Sequence, residues 1–497
     1  MPTLLFFDDR ALAIRENAVR RVGRPALIPE SIWHDDPSLS PTWGYPGVFF
    51  HEADGLWRMA YQANIVRGAT AYMDFCKLVA ESEDGFRWRP RDTTRLFEVP
   101  NRRFPHQVAD GETEWCGLYL DKRAPADERV KRIGTRKVYA SPDGLRWKAI
   151  AEWRGEKVDA PMWAVWNEVF GRHFLYARPN LGDRRIALWQ TDDWRKFDGP
   201  VLLLQPDSTD EPLTDSYGMP VFPYEGIYVG FLWLYHGMPQ LPGGSSYRFH
   251  GGKVECQLAY SLNGLAWQRG PREPFIPVGE PGSPDSGSVY PSSLVLQPGS
   301  DEMRIYASAC TCEHGMTPPG SGSIVAYRLR KDGFVFLESR SGVGRIATKP
   351  LLWGGGELAL NVQAQGPDAS PLVRPADTAI PALVEEFQRG DTPVLKVEAL
   401  PFLHNRGVRV QVTEPRGQPI PGYGFEDCAI GCGDFTGWQP SWKGGRTLDQ
   451  LKGRAIQVAV EFNHARLYAL RGNFQLLPPG DWTSWNAATD KAPLPPP

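Results

Sequence analysis

The sequence contains no apolar run of about 18 residues, so no helix is expected to span a bilayer. It also lacks a charge surplus: 55 Lys and Arg face 58 Asp and Glu, for a formal net charge of -3. Without a positive field to attract a polyanion, a nucleic-acid partner is not expected. Cysteine is scarce and odd in number, with seven residues scattered as Cys76, Cys116, Cys256, Cys310, Cys312, Cys428 and Cys432. That scatter excludes a dense disulfide scaffold and suits a reducing compartment. The run Cys310-Thr-Cys312-Glu-His314 lacks zinc-knuckle spacing and a second Cys pair, so neither a metal nor another cofactor is expected. The first residues carry no basic leader and no small-residue cleavage site, and their short apolar stretch (4–7) is broken by Asp8 and Asp9. A cytoplasmic location is the expectation.

Turn formers and rings are plentiful. The 497 residues include 51 Gly and 46 Pro, with 18 Trp, 17 Tyr and 23 Phe. A chain of this length exceeds one ordinary core, so two domains are expected. Flat aromatic rings can grip the faces of sugars, and they also simply fill cores.

Internal repetition sets the expected architecture. One phrase is a strand followed by Ser-x-Asp-Gly-x-x-Trp or a worn version of it. It runs LVAESEDGFRW to Trp88, VYASPDGLRW to Trp147, ALWQTDDWRKF to Phe197, QLAYSLNGLAW to Trp267 and IVAYRLRKDGFVF to Phe336. Asp-Gly and Asn-Gly favour tight turns at positive φ, so each phrase predicts strand, turn, strand. Upstream lie strands of mixed aromatic and aliphatic residues such as GLWRMAYQ, GRHFLYARP, GIYVGFLWLY and EMRIYASA. Upstream again come YPGVFF, WCGLYLD, MWAVWNE, MPVFPY and VYPSSLVL. Each unit therefore reads as a four-stranded antiparallel meander. Five such units predict an all-β, five-bladed β-propeller over residues 1–340, because radial packing buries faces that a lone meander exposes. Residues 341–477 read as short strands with turn signals and predict a β-sandwich, more structural than a separate binding module. A Pro-rich interruption with a short helical piece (ALVEEFQRG) falls inside it, and the Pro-rich tail 478–497 is expected to be disordered.

In a propeller the innermost strands all start at one rim, so residues just before them should converge. Those positions are acidic: His34-Asp35-Asp36, Glu112 and Glu114, Asp159, Asp215 and Asp285. A lone Asp there would be a turn cap. Carboxylates that cluster repel, so one should keep a proton near neutrality. A protonated acid beside an ionised one is what glycoside cleavage requires.

This layout resembles the five-bladed propeller clan that includes glycoside hydrolase families 32, 43, 62 and 68. A closer resemblance is to uncharacterised bacterial family-32-like proteins, through DERVKR, RRIALWQTDDWRKF, SYGMPVFPYEGIYVGFLWLYH, PFIPVGEPGSPDSGSVYP, PIPGYGFEDC and LYALRG. The resemblance covers about residues 24–475 and implies fold more than activity. It implies a base or nucleophile at Asp36 (or Asp35), an orienting Asp159, and a general acid at Asp215. Departures are visible, since the clan's usual acid is Glu. Glu255 in KVECQLAY could supply the missing reach. Expected substrate-binding residues are Trp43, Tyr45, His106, Trp163, Tyr217, His236, Asp285 and Tyr290, with Trp33 beside them. Arg184 and Arg185 are expected to neutralise Asp159 rather than to meet an acidic sugar or phosphate. The Gly-rich stretch 236–252 is long for a blade turn and reads as a loop over the mouth. The expected function is an exo-acting glycosidase on a terminal, possibly furanosidic, sugar. A glycoside phosphorylase of similar fold and a non-catalytic carbohydrate-binding propeller are the alternatives.

Overall fold

A computed structural model describes residues 2–66, 74–109, 114–152, 158–179, 184–237, 251–296, 300–315, 318–339, 342–364 and 407–489. Glu112, the helical piece expected at 382–390 and most of the 236–252 stretch lie outside the described residues. Strand accounts for 52% of the chain and helix for 5%, so the fold is all-β. No helix among the described residues is long and apolar enough to cross a membrane.

The chain divides into two compact units, residues 22–334 and residues 1–21 with 335–497. This differs from the expected division at 340, which kept the N-terminus with the first unit. Strand pairing gives the reason. Thr3–Leu5 pairs with Ala465–Arg471, and Leu12–Glu16 pairs with Val343–Thr348, so the first residues complete two sheets built by the last. Those two six-stranded sheets share one core, which includes Phe6, Leu337, Trp353, Val410, Val458 and Leu467. The tail is not all disordered as expected. Trp482–Thr489 forms a helix whose Asn486, 2% exposed, bonds both the N–H and the C=O of Ala455.

Within residues 22–334 the described strands form four sheets, and the last, of nine strands, joins two antiparallel meanders through a parallel pairing of Val254 with Ser288, so that five meanders can be followed along the chain. Meander one is built on Gly47–His51, Leu56–Ile65 and Phe75–Ser82, with Leu39–Ser40 and Gln107–Ala109 at its two edges. Meander two comprises Trp115–Leu120, Val130–Gly134, Lys137–Ser141 and Lys148–Glu152. Meander three comprises Val158–Asn167, Arg172–Pro179, Ile186–Thr191 and Asp198–Leu204. Meander four comprises Thr214–Gly218, Ile227–His236, Lys253–Ser261 and Trp267–Arg269. Meander five comprises Ser288–Leu296, Glu302–Cys310 and Gly322–Arg330, and takes its outermost strand, Ala26–Leu27, from the start of the unit.

The repeated phrase is a repeated socket. In meander two, Ser141 Oγ accepts the Gly144 N–H (2.8 Å) and Asp143 Oδ1 accepts that of Leu145 (2.9 Å). Gly144 sits at φ +78°, which a side chain rarely adopts. Meanders one and four repeat the arrangement with Ser82, Asp84 and Gly85, and with Ser261, Asn263 and Gly264. The worn copy keeps it through Thr191 and Asp193, with Trp194 forced to φ +62°.

Each of these turns is gripped by the preceding meander. Arg58 of meander one donates to Asp143 O (2.7 Å). Tyr119 and Lys131 of meander two lie against the Trp194 ring. Asn167 and Tyr176 of meander three donate to Asn263 O (2.7 Å) and Gly264 O (2.8 Å). Tyr224 of meander four donates to Asp332 Oδ1 (2.7 Å). The cycle then closes, because Arg304 and Tyr306 of meander five donate to Asp84 O (2.6 Å) and Gly85 O (2.9 Å) of meander one.

A pair of glycines tests the socket. Gly55 and Gly144 both have positive φ, but a Cβ at Gly55 meets nothing within 4 Å whereas one at Gly144 meets Phe49 at 2.7 Å. Gly55→Ala should cost about 1 kcal/mol of backbone strain, and Gly144→Ala clearly more. Thermal unfolding of the two variants checks this, and equal midpoints would contradict the socket.

Candidate active site

The start of the first strand in meander three carries Asp159, and the register of that sheet sets Arg178 directly opposite it. Arg178 Nη2 donates to Asp159 Oδ2 at 2.6 Å, and its Nη1 donates to Tyr217 O at 3.0 Å. The Arg178 side chain is 6% exposed and that of Asp159 53%, so the pair joins a buried cation to a solvent-facing carboxylate. Burial works against the Arg178 charge, but Asp159 and Tyr217 outweigh it and hold its pKa above the ordinary value.

Beside them lies Glu114, immediately before the first strand of meander two. Its half-buried carboxyl has a pKa pushed up to about 7, first by burial and then by the nearby Asp159 charge, with Arg178 partly offsetting both. One carboxyl thus keeps a proton close to neutral pH next to one clamped by a guanidinium. Sequence reasoning noted Glu114 at this entrance but did not give it a role. Its only signal was a Glu preceding an inner strand, the same signal that Asp36 and Asp285 carried.

Tyr217 links this pair to a second. Arg178 and Arg184 both lie against its ring, 4.7 and 5.1 Å from the centroid. Arg184 also stacks on Tyr235 (4.9 Å) and places Nη1 3.5 Å from Asp215 Oδ2. The expectation that Arg184 serves Asp159 is therefore corrected: Arg178 does that, and Arg184 sits with Asp215. Beneath them Tyr45, Trp163, Trp233 and Tyr290 pack on one another, with Tyr45 stacked on Trp233 at 5.5 Å. All four are 0–1% exposed, and they come from meanders one, three, four and five. Meander two makes room for them, since a Cβ at Gly117 would meet Trp163 at 2.8 Å. Trp43 joins the cluster by donating to Tyr290 Oη (3.3 Å). Of the rings expected to bind sugar, Trp43, Tyr45, Trp163 and Tyr290 are thus brought together as a buried floor. Tyr217, 6% exposed, lies above it.

His314 was read from sequence only as a doubtful metal ligand. It turns instead into this cluster, with Nε2 3.1 Å from Tyr217 Oη. Tyr217 is also within hydrogen-bonding reach of Tyr45, and burial raises the pKa of both phenols.

Other expected residues lie elsewhere. Asp36 is exposed and caps its own turn, accepting Ser38 N–H (2.9 Å) and O–H (2.6 Å), which together lower its pKa. Its neighbour Asp35 has the buried carboxylate, the side chain being 1% exposed, but its Oδ2 accepts Tyr61 O–H (2.6 Å) and lies 3.2 Å from His106 Nε2. His106 is thereby committed to Asp35, and Trp33 packs edge-on against Tyr61. Glu255 Oε1 lies 3.2 Å from His236 Nε2, and this bond raises the His236 pKa against the effect of burial. Strand alternation separates that pair from Asp215: Asp215 is paired with Tyr235, so His236 and Glu255 belong to the other face. Asp285 is buried with Ser283 (2.7 Å) and Tyr327 as its hydrogen-bond donors.

No family model matches the chain, and no curated protein matches it. Several solved structures resemble it distantly. An N-acetylgalactosamine deacetylase from F. plautii in complex with blood group B trisaccharide is 14% identical, with 64% of this chain and 97% of that chain covered and a TM-score of 0.41. A thermostable family-43 glycoside hydrolase is 16% identical over 60% of this chain and 92% of its own, with a TM-score of 0.38. A β-1,2-mannobiose phosphorylase from Listeria innocua is 10% identical over 61% and 97%, with a TM-score of 0.39. Likenesses this weak assign neither activity nor substrate.

The Glu114 carboxyl makes stability depend on pH. Its pKa rises from 4.5 to about 7 on folding, so the folded chain binds the extra proton and loses stability as pH climbs through that interval. Glu114→Gln removes this loss. Its unfolding midpoint relative to the parent should therefore rise between about pH 4.5 and 7 and level off above; a constant difference across that range would contradict the shift.

Proposed function

We propose that residues 22–334 form a five-bladed β-propeller, that residues 1–21 with 335–477 form a β-sandwich, and that the propeller cleaves the glycosidic bond of a terminal sugar. The closed cycle of turn and socket supports the first part, and the shared core of two six-stranded sheets supports the second.

One observation carries the activity: Glu114, protonated up to about pH 7, stands beside the Asp159 carboxylate that Arg178 clamps. In this reading Glu114 gives its proton to the departing glycosidic oxygen. Asp159 activates water or attacks the anomeric carbon as positive charge builds there. Arg178 holds Asp159 in place, while Asp215 and Arg184 balance charge around Tyr217. The buried floor of Tyr45, Trp163, Trp233 and Tyr290 closes the site from below, which supports attack at a chain end rather than mid-chain. Both buried guanidiniums already face carboxylates, an arrangement that favours water over phosphate as the acceptor.

A panel of aryl glycosides, assayed with and without inorganic phosphate, tests the proposal. Glu114→Gln and Asp159→Asn should each lower kcat by about 100-fold or more with the fold intact, whereas Asp36→Asn should leave it unchanged. Activity should fall above pH 7 as Glu114 loses its proton. Retained turnover in both the Glu114 and Asp159 variants would refute these roles. Phosphate-dependent turnover would make the protein a phosphorylase, and sugar binding without turnover a lectin.

A further inference from the structure

His314 lies in the loop that follows Glu302–Cys310 of meander five, and its ring packs against both Tyr217 and Tyr235, with centroids 5.1 Å apart in each case. These are the two rings on which Arg184 lies. Tyr217 also carries Arg178, whose Nη2 binds Asp159. The histidine is itself fixed. It is 7% exposed, its backbone N–H donates to Gly252 O (2.9 Å), and the Glu313 carboxylate before it accepts the Gly252 N–H (2.8 Å). Trp43 packs on its ring from the aromatic floor (5.6 Å). Packing alone would be served by a phenylalanine. What an imidazole adds is a nitrogen, and Nε2 lies 3.1 Å from Tyr217 Oη. Tyr217 is 6% exposed, so its hydroxyl needs partners inside the protein. The ring below that hydroxyl touches two guanidiniums, each paired with its own carboxylate. A tilt of Tyr217 would therefore move both cations, and with them the acids they hold.

We infer that His314 is a positioning residue of the Glu114–Asp159 site. By bonding the Tyr217 hydroxyl it fixes the ring against which Arg178 and Arg184 lie, and through Arg178 it keeps Asp159 in its working place. The inference rests on the glycosidase reading above and adds to it a residue that acts without touching substrate.

His314→Phe keeps the ring and removes the nitrogen, His314→Gln keeps a side-chain nitrogen to meet the phenol, and Tyr217→Phe removes the hydroxyl. The double variant of His314→Phe with Tyr217→Phe completes a cycle. For the full chain, kcat and KM are measured on the aryl glycoside that the parent turns over, beside thermal unfolding. His314→Phe should lower kcat about tenfold, the worth of one buried hydrogen bond, with KM little changed. His314→Gln should recover most of that rate. Tyr217→Phe should lose at least as much, and the double variant no more than Tyr217→Phe alone. Losses that multiply in the double variant would mean that His314 acts apart from the phenol and would overturn the inference. An unchanged kcat in His314→Phe, or no recovery in His314→Gln, would do the same. Should His314→Phe fail to fold, Tyr217→Phe decides, because an unchanged kcat there overturns the inference and a loss with KM retained supports it. A parent that turns over no aryl glycoside would overturn the glycosidase reading and this inference together, whereas a failed cycle in an active parent overturns the inference alone.

Discussion

The constraint on which residues 22–334 depend is the grip of each meander on the next one's turn. Five turns, all containing a positive-φ residue, present a carbonyl, a carboxylate or, at Trp194, a ring to the preceding meander. The individual bonds are ordinary, each contributing about 1 kcal/mol. Their effect comes from closure: Arg304 and Tyr306 bring meander five back to the turn of meander one. Closure of that cycle limits how far the first strands of the meanders can diverge. Glu114, Asp159 and Asp215, far apart in the chain, are held around one Tyr217.

Around that phenol the electrostatics divide the carboxyl groups by their partners. Asp159 and Asp215 each face a buried guanidinium, whereas Glu114 meets burial and a neighbouring negative charge. The same side-chain chemistry therefore yields a carboxyl clamped by a guanidinium in one position and one that holds its proton up to about pH 7 in the next. Tyr217 sits between both guanidiniums, so its ring spaces the cations as well as roofing the aromatic floor.

Much of the strand order was legible because the Ser-x-Asp-Gly phrase has a local cause, namely a turn that closes on its own side chains. What the sequence could not separate was which carboxyl caps a turn and which faces the centre. Asp36 and Asp35 are adjacent, yet one is bound by Ser38 and the other by Tyr61 and His106, and that choice is made by chain geometry alone. Glu255 was misplaced relative to Asp215 by a single step of strand parity, which periodicity shows but a rim argument ignores. Arg178 escaped notice because it lies near the end of a strand behind apolar residues, where its register with Asp159 becomes visible only once the sheet is built.

The pairing of residues 3–16 with strands near 343–348 and 465–471 bears on how the polypeptide matures. These residues are synthesised long before their hydrogen-bonding partners, Val343–Thr348 and Ala465–Arg471. Likewise Ala26–Leu27 must wait for Gly322–Arg330 before it can pair. The strands of residues 22–334 are therefore all made before the partners of residues 3–16, which stay an unpaired edge in the meantime. Holding that segment away from other nascent chains is a task the cell inherits from this topology.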